Sequence, residues 1–200
     1  MLRKLADSHG ALRLLLAVPA IVMLSRFGLA GGGLGQLIGP SGEWAARLFV
    51  ATLAVTPARL LIKLVPNSQH ASMWLFKRRR DIGLAAFLYA VLHLGTYLVR
   101  QANIHVILYD LPYKEYLAGW ISFAALVILT LTSNDWSVHA MGTKWKLLQR
   151  LTYVAAIAAY LHWLWIRLDH TAAYLHFLPL VLLEAYRLWY NFARPAGEKH

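Results

Sequence analysis

The chain has 200 residues, 59% of them hydrophobic and only 14% charged, with a mean hydropathy of +0.49. A water-soluble domain of that size would lack the polar surface to cover such a core, so the sequence predicts an integral membrane protein. The net charge of +11 does not point to nucleic acid, because the basic residues fall mainly between apolar stretches, where they orient a membrane protein and meet anionic lipid.

In chain order, six apolar spans are predicted, at about 11–28, 44–65, 82–99, 116–133, 151–168 and 171–192. They make an all-α, integral membrane six-helix bundle, one domain over residues 1–200 with short connections. The first span follows a basic start, and Pro19 and the five later spans mark it as a membrane helix rather than a cleaved signal. Between the first two spans, Gly31, Gly32, Gly33, Gly35, Gly39, Pro40 and Gly42 predict a flexible turn. Thr56 and Pro57 predict a kink or early end in the second span, since proline removes a backbone donor.

Lysine and arginine set the orientation. One side collects Arg3, Lys4, Arg13, Arg59, Lys63, the Lys77–Arg80 block, Lys144, Lys146, Arg150, Arg187, Arg194 and Lys199; the other has Arg26, Arg47, Arg100, Lys114 and Arg167. By the positive-inside rule both termini are cytoplasmic, in a bacterial inner membrane crossed several times.

Cysteine is absent, which excludes thiolate metal sites, iron–sulfur clusters and disulfides, and leaves histidine as the main soft ligand. His93 and His162 each lie inside an apolar stretch. His93 is 13 residues beyond Arg80 and His162 is 12 beyond Arg150, so in parallel helices both imidazoles stand roughly 18–20 Å from the inner boundary. Two imidazoles at one depth suit the axial positions of a haem held in a helical bundle. Arg100 and Arg167, toward the outer ends of the same helices, are candidate partners for haem propionates, or else snorkelling cations. His176, in the sixth span, is a candidate contact for a quinone head group or a propionate. His9, His70, His105, His139, His170 and His200 read as solvated polar residues. Trp163, Trp165, Tyr97 and Tyr160 read as an interfacial aromatic belt.

The segments Leu48–Arg59 (LFVATLAVTPAR), Arg79–Tyr97 ending in LHLGTY, Thr132 with Ser133, Gly142–Leu148 (GTKWKLL) and Tyr153–Trp165 ending in LHWLW together resemble the ferric-reductase-like transmembrane family, and within it most closely the YedZ-type haem subunits. The resemblance covers nearly the whole chain. It implies a haem b electron-transfer subunit that takes electrons from the quinone pool or a cytoplasmic flavin donor. The implied acceptor is a periplasmic molybdopterin enzyme that reduces oxidised methionines in proteins; flavin mononucleotide (FMN) is also associated with the family. The alternative is a quinol-linked cytochrome or metalloreductase acting on a small acceptor such as ferric iron at the outer face. Where the YedZ-type members carry a further histidine early in the fifth helix, this chain reads Leu148, Gln149, Arg150. A second, inner haem would therefore have to draw on Arg79, Arg80 or Gln149. Helix-wheel arithmetic sets Arg79 within ~40° of the His93 face but Gln149 ~140° from the His162 face, so one outer haem is the prediction.

Overall fold

The computed structural model describes residues 9–30, 33, 35–166 and 170–193. Among these the chain forms nine helices and no strand. They are α1 (His9–Ala30), α2 (Gly35–Ile62), α3 (Gln69–Gln101), α4 (Ile104–Asp110), α5 (Lys114–Leu131), α6 (Asp135–Met141), α7 (Thr143–Leu148), α8 (Leu151–Ile166) and α9 (Thr171–Ala193). Four are long and apolar enough to cross a membrane: α1 over His9–Phe27, α2, α3 and α5. The predicted fifth and sixth spans correspond to α8, with 16 described residues, and α9, with 23 residues that include Glu184 and Arg187.

Three expectations from the sequence are corrected. The helix α2 begins at Gly35, well before the predicted start, so Gly35, Gly39, Pro40 and Gly42 are helical rather than a flexible turn. In apolar surroundings each backbone N–H and C=O needs a partner along the chain, and that requirement outweighs a glycine cost of about 1 kcal/mol in helix propensity. Arg47, within the predicted 44–65 span, lies about three turns inside the helix that starts at Gly35. Of the kink or early end predicted at Pro57, the early end is excluded, since α2 continues to Ile62 with the proline buried. The helix α3 starts at Gln69 and carries the whole Lys77–Arg80 block. Lysine and arginine are good helix formers, and a helix of 33 residues extends for about 50 Å, beyond a hydrocarbon core of ~30 Å.

The α2–α3 connection turns at Asn67, whose φ of 60° is a left-handed conformation that asparagine tolerates. The Ser68 hydroxyl donates to the Ile62 carbonyl at 2.5 Å. After α3, Ala102 takes φ 47° and Asn103 caps α4 by accepting from the His105 N–H at 2.9 Å.

Packing divides the long helices into two tight pairs, α2 with α3 and α5 with α8; α9 lies on α2, and α1 on α3 and α2. The core joins Leu48, Phe49 and Leu53 of α2, Ala86 and Tyr89 of α3, Ala125 and Leu129 of α5, Ala155 of α8 and Leu180 of α9. Small residues at these crossings let backbones approach, as packing inside a membrane requires. A buried serine bridges the second pair, Ser122 Oγ donating to the Ala155 carbonyl at 3.0 Å. Leu14, Leu15, Ile21, Leu88, Ile157, Leu175 and Leu182 face outward and exposed, the surface a lipid-facing helix presents.

Candidate functional site

The two helix pairs bring His93 of α3 and His162 of α8 together. Their ring centroids are 6.1 Å apart with the planes at 75°. Each ring is braced inside its own pair. His93 Nδ1 donates to the Ile38 carbonyl on α2 at 2.8 Å, and His162 Nδ1 donates to the Glu115 carbonyl on α5 at 2.6 Å. A carbonyl only accepts, so in both rings the proton sits on Nδ1 and the lone pair on Nε2. Neither Nε2 has a hydrogen-bond partner among the described residues.

Glycines make this seating possible. A Cβ placed on Gly42 would stand 2.9 Å from both Cε1 and Nδ1 of His93, and one on Gly119 would stand 2.8 Å from Nδ1 and 2.9 Å from Cε1 of His162. The ring edge carrying Nδ1 thus lies against backbone, and Nε2 is directed away from it. Ser41, fully buried, steadies the α2 side by donating to the Leu37 and Ile38 carbonyls at 2.6 and 3.1 Å. Sequence reasoning found the histidines but missed Gly42, lost in a glycine-rich segment, and Gly119, whose signal is a lone glycine in an apolar run.

Beside this pair lies a polar cluster. Arg47 Nε–H donates to His176 Nε2 at 3.0 Å, and Arg47 pairs with Glu43 one turn earlier at 2.9 Å. His176 Nδ1 donates to the Ala172 carbonyl at 2.6 Å, and its ring lies 5.2 Å from that of Trp163. Trp163 is buried, packed on His176 and Phe177, so it is a core residue rather than part of an interfacial belt. Tyr160 joins it there, 5.2 Å from Phe177. Trp165 is exposed, with the Lys114 ammonium 5.1 Å from its ring, as an interfacial residue would be.

The remaining predicted residues are placed separately. Arg100 is exposed in the last turn of α3, beside Gly35. Arg167 lies outside the described residues. Arg80 is paired with Asp135 at 3.2 Å on the surface. Gln149 donates to Thr132 Oγ1 at 3.2 Å, and Arg79 is half-buried. His70, His105, His139 and His170 are exposed, as expected. His9 is not simply solvated, because its Nδ1 meets the buried Asp81 carboxylate at 2.6 Å. Arg13 holds the other Asp81 oxygen at 2.9 Å.

A haem iron suits the His93/His162 arrangement. A nitrogen–metal bond of about 2 Å on each side sets two ligating imidazoles near the observed centroid separation. The carbonyl-held Nδ1–H is the outer contact that fixes a ligating imidazole's tautomer and orientation.

Comparison with known proteins gives the family. Residues 41–160 match the family described as ferric reductase like transmembrane component. The protein-methionine-sulfoxide reductase heme-binding subunits MsrQ of Brucella ovis, Brucella suis and Brucella abortus are each 38% identical to it over 126 residues, 62% of this chain and 53% of theirs. The chain thus spans about half the length of these curated relatives.

Proposed function

The chain belongs to the ferric reductase like transmembrane family, and from that premise we propose that it is a haem b electron-transfer subunit of a bacterial inner membrane. Its acceptor on this reading is a periplasmic molybdopterin methionine-sulfoxide reductase. The observation that carries the proposal is the His93–His162 pair, with centroids 6.1 Å apart and both Nδ1 atoms committed to backbone carbonyls. The relatives' description as heme-binding subunits of a methionine-sulfoxide reductase supports the choice of cofactor and acceptor.

When bound, the haem supplies a one-electron carrier. The protein's own residues do the rest. His93 and His162 would hold the iron through their Nε2 lone pairs, because the Ile38 and Glu115 carbonyls hold the proton on Nδ1 and so keep Nε2 available. Arg100, and Arg167 by its place in the sequence, would offer cations to propionates. On this reading the chain crosses six times with both termini cytoplasmic, α8 and α9 being the fifth and sixth crossings, and the histidine level lies in the outer half of the membrane, within reach of a periplasmic partner. Electrons enter from quinol or a cytoplasmic flavin donor. The proposal takes a single haem, since Arg80 and Gln149 are engaged by Asp135 and Thr132.

The test is a reduced-minus-oxidised visible spectrum of the purified protein with haem counted per chain, repeated on His93→Ala and His162→Ala. About one low-spin haem b per chain, lost in both variants while the protein still inserts, is the expected result. Full haem in both variants overturns the site. Haem that a methionine-sulfoxide reductase partner leaves reduced, but ferric chelates oxidise rapidly, overturns the acceptor.

A further inference from the structure

We propose that Gly42 and Gly119 are positioning residues, two notches that with the Ile38 and Glu115 carbonyls fix the ring planes of His93 and His162 for ligation. This rests on the haem reading above and adds to it what sets the ligand geometry.

The two halves of the site repeat one arrangement. On α2 the accepting carbonyl is at residue 38 and the glycine at 42; on α5 they are at 115 and 119. Residues four apart lie on one helix face, one turn above the other. The carbonyl takes the Nδ1 proton, and the missing Cβ one turn on lets the same ring edge lie against the helix. Carbon atoms pack at about 3.5–4.0 Å, so a methyl group 2.8 to 2.9 Å from the ring leaves the ring no choice but to move. The two glycines of α3 give the contrast. Gly95, two residues after His93 on α3, has nothing within 4 Å of its would-be Cβ, and Gly83 meets only Thr52, at 3.3 Å.

A hydrogen bond at one atom and a backbone surface along one edge together remove the ring's freedom to turn about χ2. The observed outcome is two planes crossed at 75°. Crossed axial imidazoles give a ferric low-spin haem a strongly anisotropic low-field resonance, whereas parallel planes give a rhombic spectrum. The notches therefore have a spectroscopic consequence that general packing does not.

The experiment compares full-length wild type, Gly42→Ala, Gly119→Ala and the control Gly95→Ala by haem content, low-temperature electron paramagnetic resonance of the ferric form, and rate of haem loss to excess apomyoglobin. Wild type and Gly95→Ala should share the anisotropic signal. Each notch variant should shift it toward the rhombic form and hold haem about 10-fold more weakly or worse, the scale typical of lost outer-shell contacts. Alanine favours a helix over glycine, so a loss reports on the ring rather than on helix formation. Notch variants that keep the wild-type signal and haem retention overturn the inference while leaving the haem reading intact; a wild type without haem overturns both. Should a notch variant fail to accumulate, Gly42→Ala with His93→Ala, and Gly119→Ala with His162→Ala, should restore inserted protein by removing the ring. Failure of those double variants to recover also overturns the inference.

Discussion

Arg47 donates from Nε to the Nε2 of His176 across 3.0 Å, tying α2 to α9 at a point well inside the α2 helix. The same guanidinium pairs with Glu43 at 2.9 Å, so one planar group serves two partners, which a lysine ammonium on a flexible stem does poorly. Arg47→Leu removes the cation beside a carboxylate and the donor to His176. It should lower stability by about 1–3 kcal/mol, less than a fully buried pair would because both side chains are partly exposed. Arg47→Lys should recover less than half of that loss. Thermal unfolding in detergent decides, and a wild-type melting temperature for Arg47→Leu would refute the cluster's structural role.

Tyr89 secures α1. Its hydroxyl accepts from the Ala20 N–H at 2.8 Å and donates to the Leu16 carbonyl at 2.9 Å, inserting a side chain from α3 into the α1 backbone ladder next to Pro19. Side-chain insertion of this kind is a recognised cause of local helix opening. Tyr89→Phe should cost about 1 kcal/mol and raise deuterium uptake at the Ala20 amide. Unchanged exchange across residues 16–24 would show that the bridge does not hold the helix.

Arg80 illustrates the opposite case. Its ion pair with Asp135 joins side chains 53% and 89% exposed, where Coulomb attraction is weak and ordering two long side chains offsets it. Arg80→Ala should change stability by less than about 0.5 kcal/mol and leave the haem count as it was. A variant that loses one of two haems would instead place Arg80 at an inner site.

His93 and His162 were legible in the sequence because a histidine inside an apolar run is conspicuous, and counting from the basic ends sets two of them at one level. Gly42 was misread with the glycines before it. A cluster of glycines looks like a turn in water, where backbone groups can bond to solvent, and only the demand for internal pairing in an apolar setting makes it helix. Arg47 falls inside the predicted 44–65 span and was counted with the outer side; its bond to His176, 129 residues on, carries no local signal. The meeting of His9 with Asp81 across 72 residues is a tertiary fact that no local pattern carries. The short helices α6 and α7 lie in a connection with no apolar periodicity long enough to announce them.

Haem removal tests how the two helix pairs are joined. Each histidine bonds to a carbonyl of its own pair, so a ligand held by both rings would be the strongest tie between α2–α3 and α5–α8. A ligand that binds only the folded form stabilises it by RT ln(1 + [L]/Kd), about 2.7 kcal/mol at a hundredfold excess over Kd. Protein from haem-starved cells should therefore melt well below haem-replete protein, and added haem should restore the difference. Haem-free His93→Ala should differ from haem-free wild type by no more than about 1 kcal/mol, the loss of one interhelical hydrogen bond, and should not respond to haem. Equal melting temperatures for the starved and replete wild type would mean that the helix pairs hold together without the ligand. A haem response in His93→Ala as large as the wild type's would mean that the iron is held elsewhere.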